Sequence, residues 1–135
     1  NFEKSMDLMQ RAMGYSVTRA EVINNNIANA MTPNYKRHDI TFQAELQRAL
    51  NSEKTENDIP FKTSRERHIP AFRPEDYREV KPKMITEFNT YQNNDGNSVD
   101  VEKEMIEGSK NTMYFTALAT RVSGMFNKIK FLLKS

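Results

Sequence analysis

The sequence predicts a mainly α-helical protein whose two long terminal helices form an antiparallel coiled-coil hairpin, with a mostly irregular middle segment that contains a short helix. Two observations predict this fold. Apolar residues recur with heptad spacing at both ends of the chain, and prolines interrupt the polar region between them. The chain therefore divides into an N-terminal coiled-coil helix (1–31), a segment with a turn motif, a short helix and an irregular or extended insert (32–98), and a C-terminal coiled-coil helix (99–135).

The first predicted helix carries a seam of apolar and small side chains at alternating three- and four-residue spacing. Charged residues such as Lys4, Asp7 and Arg19 lie between them and suit a solvated face. Methionines on this seam suit an irregular neighbouring helix because their thioethers are flexible. Packing on a core of its own domain and packing within a multi-helix assembly both remain open. The N-terminal seam comprises Phe2, Met6, Met9, Met13, Ser16, Ala20, Ile23, Ile27 and Ala30.

An asparagine-rich stretch and a proline are expected to end this helix near residue 30. Pro33 fixes its own φ and disfavours the α region for Thr32. Asn34 tolerates positive φ, so residues 32–35 are predicted to form a tight turn with Pro33 second and Asn34 third. Asparagine is a poor helix former whose amide bonds readily to backbone groups. The helix end is therefore predicted to be held by side-chain amides.

The middle segment is predicted to contain one short helix. Phe42, Leu46 and Leu50 recur every four residues, which favours a helix over 41–50 capped by Asp39 or Thr41. The polar residues 51–67 predict a linker or exposed loop, residues 84–91 are compatible with a strand, and residues 93–97 with a turn. Four prolines interrupt regular structure in this segment, and the apolar residues between them are too sparse for a core. These apolar residues predict an extended segment that packs on another surface. The prolines are Pro60, Pro70, Pro74 and Pro82, and the apolar residues are Ile69, Phe72, Tyr77 and Val80.

The second long helix is predicted to begin after Asp100, a suitable N-cap, with Glu102 and Glu104 in its first turn. Small residues in its seam permit close approach of another helix. The seam side chains are too few to offset the entropy of ordering both helices, so the hairpin is expected to need further helices around it and to have frayed ends when isolated. The C-terminal seam comprises Val101, Met105, Gly108, Thr112, Phe115, Ala119, Val122, Phe126, Ile129 and Leu133.

Composition argues against several functional classes. The 135 residues include 20 Lys and Arg against 18 Asp and Glu, and a formal charge of +2 does not indicate nucleic-acid binding. The chain has no cysteine, no apolar run long enough to span a bilayer, and no Sec-type signal. His38 and His68 have no metal-ligand spacing, and Glu102, Glu104 and Glu107 are attributed to helix-end charge and a solvated face. We predict no catalytic, cofactor-binding or metal-binding residue and no cofactor.

The end of the first helix resembles the N-terminal signature of bacterial flagellar axial proteins, which are the rod, hook and hook-associated proteins. The small size of the chain and the run Asp39-Ile40-Thr41-Phe42 are most similar to a proximal-rod member of that family. The family usually has glycine where this chain has Asn34. The motif residues are Asn26, Ile27, Ala28, Asn29, Thr32, Pro33, Asn34, Tyr35 and Lys36.

The resemblance implies a structural subunit of the periplasmic rod in the flagellar basal body, which assembles through its terminal helices into a helical tube and transmits torque. Implied partners are copies of itself, neighbouring rod subunits, the adaptor between the rod and the membrane ring, and the flagellar type III export apparatus, with no nucleic acid and no direct membrane span. A soluble coiled-coil adaptor or chaperone of small fixed stoichiometry remains an alternative. So does another axial protein of the same family.

Overall fold

The computed structural model describes residues 2–58, 76–88 and 94–135. The long helices at the two ends pack against each other, which confirms the mainly α fold with paired terminal helices. A small two-stranded sheet lies between them in the sequence. In chain order the elements are α1 (Phe2–Ala28), β1 (His38–Thr41), α2 (Gln43–Asp58), a 3₁₀ helix (Tyr77–Glu79), β2 (Lys83–Thr86) and α3 (Val101–Lys134).

The chain divides into two compact units. The first comprises residues 1–40 and 84–135 and contains the helix hairpin, and the second comprises residues 41–83. In the first unit α1 and α3 run antiparallel, because Ser16 meets Asn111 whereas Asn26, further along α1, meets the earlier residue Glu104. The Asn111 Nδ2 donates to the Ser16 carbonyl oxygen at 2.8 Å. Polar contacts thus fix the register of the two helices.

The predicted turn after α1 is present. The Tyr35 backbone N–H donates to the Thr32 carbonyl oxygen at 3.3 Å, and Asn34 has a positive φ of 61°. Pro33 therefore occupies the second position and Asn34 the third, as in a type II turn. The Asn34 backbone N–H donates to the Asp95 carbonyl oxygen, and the Ser98 backbone N–H donates to the Tyr35 carbonyl oxygen, each at 3.0 Å. The turn is thereby bonded to the segment that leads into α3.

The start of α3 also follows the sequence-based expectation. Asp100 is the N-cap, and its Oδ1 accepts a hydrogen bond from the Lys103 backbone N–H at 3.3 Å. This bond satisfies one of the free donors at the helix start. The buried apolar residues of the first unit concentrate around this end of the hairpin, although Met6 and Ala12 are also buried. The concentrated set is Val22, Ile23, Ala30, Ile40 and Val99.

The second unit corrects two expectations. The helix predicted over 41–50 begins at Gln43 and continues to Asp58, so residues 51–58 are helical and not a linker. Glu and Lys are good helix formers, so this polar stretch can continue a helix. Asp39 and Thr41 do not cap it, because both lie in β1.

The 3₁₀ helix, and not an extended segment, contains Tyr77, which is buried, whereas Val80 follows that helix and is half-buried. Only part of the strand expected over 84–91 is observed, in β2. Glu87 and Phe88, which the prediction placed in the strand, lie beyond its end. Residues 89–91 of the predicted strand, the rest of the predicted loop, and the expectations for Pro60, His68, Ile69, Pro70, Phe72 and Pro74 lie outside the described residues.

We expect Asn34→Val to lower the free energy of unfolding by about 1–2 kcal/mol, because a positive φ is strained for an L-residue with a branched side chain. Asn34→Gly should stay within about 0.5 kcal/mol of the wild-type value, because glycine adopts this conformation without strain. Urea unfolding followed by far-UV circular dichroism measures both variants. Equal stability of the valine and glycine variants would show that the turn does not require the left-handed conformation.

Candidate functional site

Asn26, near the end of α1, joins three segments of the chain through one fully buried amide. Its Nδ2 donates to the His38 carbonyl oxygen at 2.7 Å and to the Glu104 Oε2 at 3.2 Å. Its Oδ1 accepts from the His38 backbone N–H at 3.0 Å and from the Tyr35 hydroxyl at 3.3 Å. An aspartate at this position has no N–H to donate, so only an amide makes all four bonds.

A second buried amide, Asn97, holds the last carbonyl groups beyond α1. Its Nδ2 donates to the Asn29 carbonyl oxygen at 2.9 Å and to the Thr32 carbonyl oxygen at 2.7 Å. Its Oδ1 accepts from the Val99 backbone N–H at 2.7 Å. Asn29 also donates its own Nδ2 to the Asn25 carbonyl oxygen at 2.8 Å. The prediction that side-chain amides hold this helix end is confirmed.

A buried ion pair between Arg37 and Glu104 lies beside Asn26. The Arg37 Nε donates to the Glu104 Oε1 at 2.5 Å, and its Nη1 donates to the Glu87 Oε1 at 2.8 Å. Glu104 is 0 % exposed and Arg37 is also buried. Burial opposes the Arg37 charge, but the hydrogen bonds and negative charges of Glu104 and Glu87 raise the pKa of the guanidinium above its ordinary value.

Arg19 extends this arrangement along α1. Its Nε donates to the Asp39 Oδ1 at 3.1 Å, and its Nη2 donates to the Glu107 Oε2 at 3.0 Å. Asp39 also lies 3.6 Å from the Arg37 Nη2, so the two arginines share one carboxylate. The resulting set is called the ion-pair cluster, and it comprises Arg19, Arg37, Asp39, Glu87, Glu104 and Glu107.

Two acids of the ion-pair cluster, Asp39 and Glu107, are stabilised in their charged forms. Burial by itself would raise the pKa of Asp39, but hydrogen bonds from Arg19 and the Ile40 backbone N–H, together with the charges of Arg19 and Arg37, bring it below its usual value. The hydrogen bond from Arg19 likewise lowers the pKa of Glu107. These carboxylates are occupied by guanidinium groups, so the arrangement binds segments of the chain together.

The interpretation of Glu104 and Glu107 as solvated helix-end charges is wrong for both. Glu104 is buried and Glu107 is half-buried, and each bonds to an arginine, whereas Glu102 is exposed as expected. No local pattern shows the burial of Glu104 directly, since a partner of Glu104, Arg37, lies 67 residues away in the chain. The only local indication of its burial is that Glu104 lies one position before the predicted seam residue Met105.

His38 contacts two side chains of the first unit. The His38 Nδ1 lies 2.8 Å from the Thr86 Oγ1, and its ring packs edge-on to Tyr35 with centroids 5.8 Å apart. Within residues 2–58, 76–88 and 94–135 no three His, Asp or Glu side chains are grouped as metal ligands require. In the same ranges no helix has an 18-residue stretch apolar enough to cross a membrane.

The predicted motif residues meet around this site, and their exposure differs. Asn26 is buried, whereas Ala28 at the end of α1 and Thr32, Pro33 and Asn34 on the turn are exposed. Ile27, Asn29, Tyr35 and Lys36 are half-buried. Lys36 donates its Nζ to the Gly96 carbonyl oxygen, which adds a further bond between the turn and the segment before α3.

The N-terminal seam lies mostly towards the interior of the hairpin. Phe2 is its exposed member. Its buried members are Met6, Ser16, Ile23 and Ala30, and its half-buried members are Met9, Met13, Ala20 and Ile27.

The C-terminal seam is only partly covered. The two residues of α3 that are buried, Glu104 and Asn111, are polar and were not predicted. They occupy the face towards α1 because each finds hydrogen-bond partners there. The half-buried seam members are Gly108, Phe115, Ala119, Val122 and Ile129, and the exposed members are Val101, Met105, Thr112, Phe126 and Leu133.

Known proteins share this sequence over nearly its whole length. The chain is 35% identical over 135 residues to the flagellar basal body rod protein FlgB of Borreliella burgdorferi, which covers 99% of this chain and 98% of the relative. It is 33% identical over 130 residues to FlgB of Bacillus subtilis, covering 96% and 92%. It is 28% identical over 131 residues to FlgB of Aquifex aeolicus, covering 97% and 94%. No protein-family model matches the chain.

The paired terminal helices, the motif turn and this similarity define a protein of the bacterial flagellar rod. The chain belongs to the FlgB family of flagellar basal body rod proteins. The predicted location in the basal-body rod is thereby confirmed. These relatives carry the name of a rod protein and of no enzyme. The sequence also left open another axial protein, such as FlgC, and the relatives do not carry that name.

We expect Glu104→Ala to lower the free energy of unfolding by about 3–5 kcal/mol, because removing one partner of a buried ion pair leaves the other charge poorly compensated. Glu102→Ala is the matched control in the same turn, and its exposed side chain should contribute less than about 1 kcal/mol. Urea unfolding of both variants at neutral pH makes the comparison. If both variants lost the same free energy of unfolding, the buried ion pair of Glu104 would contribute no more to stability than an exposed acid does.

We expect acid to weaken the first unit through Asp39. The pKa of Asp39 in the folded state lies below the unfolded value of about 3.9. Its contribution to the free energy of unfolding is therefore fully present above about pH 3.9 and is lost as pH falls through the folded pKa. The urea midpoint should therefore fall as pH drops below about 4, and Asp39→Asn should flatten that decline. Glu21→Gln, at an exposed acid of α1, is the matched control that removes a carboxylate outside the ion-pair cluster. Identical pH profiles for wild type and Asp39→Asn would contradict the assignment.

Proposed function

We propose that this chain is a structural subunit of the proximal rod, which assembles through its terminal helices into a helical tube and transmits torque across the periplasm. The observation that carries the proposal is the exposed part of the C-terminal seam. Met105, Phe126 and Leu133 are 61%, 47% and 82% exposed although α1 already packs against α3. A helix with apolar residues on more than the face it buries has a further partner.

The exposed seam favours an extended assembly over a closed adaptor. Besides the seam residues, α3 exposes Ile106, Met113 and Phe131, which lie at different heights and on different sides of the helix. Contacts on several faces join each subunit to more than one neighbour, and such heterologous contacts build open helical structures. An adaptor of small fixed stoichiometry would instead cover its apolar surface in one closed interface. Membership of the rod family supports the first alternative.

The ion-pair cluster supports torque transmission by giving the hairpin a stiff end. It bonds α1, β1 and α3 to one another through Arg19, Arg37 and Asn26. Charge-assisted hydrogen bonds are directional, so a change in the angle between the helices stretches several of them together. A subunit with the ion-pair cluster at one end passes a twisting force to its neighbours with little internal deformation. The apolar faces nearer the other end remain available for contact.

The proposed partners follow from this role. They are copies of the chain, neighbouring rod subunits and the adaptor between the rod and the membrane ring, which the apolar faces of α3 would contact.

We also propose export through the flagellar type III apparatus, with helix ends that become fully ordered only on assembly. Exposure of Phe2 at one end of α1 and of Leu133 at the end of α3 supports such fraying. The role is structural, without catalysis or cofactor.

Phe126→Asp tests the assembly role. The side chain is half exposed in the single chain, so we expect the isolated variant to keep the wild-type circular dichroism spectrum. In the rod the same charge would be buried without a partner at a cost of several kcal/mol per subunit, so the variant should be absent from purified basal bodies and the cells should not swim.

Asn127→Asp is the matched control, since it adds the same charge at the neighbouring exposed position. It should enter basal bodies and support swimming. Normal incorporation of Phe126→Asp would show that this face of α3 is not an assembly surface.

A further inference from the structure

A groove on one side of the hairpin lies between the end of α1 and the beginning of α3. Its volume is about 550 Å³. Its lining includes the small residues Ala20 of α1 and Gly108 of α3. Polar residues also line it, namely Asn24, Glu104, Ser109 and Thr112. Its rims are longer apolar side chains, Ile27 on α1 and Met105 and Met113 on α3, and both methionines are largely exposed. The apolar part of this assembly groove can therefore receive apolar side chains.

The last turns of α3 present a matching apolar end. Phe131, Leu132 and Leu133 are consecutive and all largely exposed. Consecutive helical residues point about 100° apart, so these three span about 200° of the helix surface, and α1 leaves all three uncovered. Gly108 and Leu132 are 24 positions apart, which is about 36 Å along the helix. A straight α3 therefore cannot place its own apolar end in its own groove.

The apolar end carries only positive charges, whereas the groove is bordered by both signs, because the exposed Lys110 is one turn before Met113 and pairs with Glu107. Glu21 is next to Ala20 on α1, and Glu102 is one turn before Met105 on α3. Both are exposed, and neither has an ion pair within the described ranges. Residues 121–134 contain Arg121, Lys128, Lys130 and Lys134, all exposed, and no acidic residue. Attraction between these positive charges and the two acids would steer the surfaces together.

We propose that the assembly groove of one subunit receives the apolar end of α3, residues 131–133, from a second copy of this chain. The contact joins two different surfaces at opposite ends of the hairpin. It is therefore heterologous and adds copies head to tail without closing on itself. This inference rests on the proposed function and specifies which surfaces join successive copies within the rod. A reciprocal closed pair is the competing arrangement.

Disulfide cross-linking distinguishes these arrangements, because the chain has no cysteine of its own. Ser109→Cys places a thiol on the groove and Leu132→Cys places one on the apolar end. A disulfide requires Cα atoms within about 7 Å, so it reports direct contact. The full-length double variant in purified basal bodies, treated with oxidised glutathione, should give dimers and larger linked species. A limit at dimers would overturn the head-to-tail contact.

Groove filling supplies an independent measurement. Gly108→Leu, added to the double-cysteine variant, should reduce cross-linking at least tenfold because its side chain occupies part of the groove. A Cβ at Gly108 lies 3.6 Å from the Ile23 Cγ2, an ordinary contact, and an unchanged circular dichroism spectrum of the variant checks that the rest of the leucine side chain leaves the hairpin folded. Gly14→Leu is the matched control, since an added Cβ there meets nothing within 4 Å and Gly14 lies outside the groove. It should leave cross-linking unchanged.

The outcomes separate this inference from the proposed function. Basal bodies that contain the double variant but yield no linked species would overturn the groove contact and leave the rod function intact. Equal cross-linking in the Gly108→Leu and Gly14→Leu backgrounds would also overturn it. Absence of the wild-type chain from basal bodies would overturn the proposed function, and the groove contact with it. Linked species larger than dimers that disappear only with Gly108→Leu would establish the contact.

Discussion

The buried carboxylate of Glu104 is the constraint on which the hairpin depends. A charge removed from water is tolerated only where other charges and hydrogen-bond donors compensate it. Arg37 supplies the opposite charge and Asn26 supplies an amide N–H. These groups come from the end of α1, from the residue before β1 and from the first turns of α3. The need to satisfy one carboxylate therefore brings three distant segments together and fixes where the long helices meet.

The two ends of the hairpin are stabilised by different physics. At the motif end, directional bonds from Asn26, Asn97 and the ion-pair cluster specify one geometry. Towards the other end Met6 and Ala12 are buried, and Phe126 and Leu133 remain exposed. Apolar contacts are non-directional and adapt to a new neighbour. Directional bonds at one end and exposed apolar residues at the other would suit the rod subunit that we propose.

The motif shared with flagellar axial proteins has a direct structural meaning in this chain. Asn26 bonds both the N–H and the carbonyl of His38, as a partner strand would, so it fixes the chain after the turn to the helix before it. Thr32 accepts the turn hydrogen bond and Asn34 supplies the positive φ. Tyr35 and Lys36 then bond to Asn26 and to the segment before α3. Most motif residues therefore stabilise the turn at which the chain reverses direction after α1.

Local patterns determined much of this protein from sequence alone. Heptad spacing predicted α1 and α3, Asp100 predicted the start of α3, and Pro33 with Asn34 predicted the turn, because each depends on neighbours within one or two helical turns. Sequence did not predict that Glu104 is buried, since its partner Arg37 is 67 residues away and no local pattern records their contact. The exposure of half the C-terminal seam was likewise decided by tertiary structure, because α1 can cover only one side of α3.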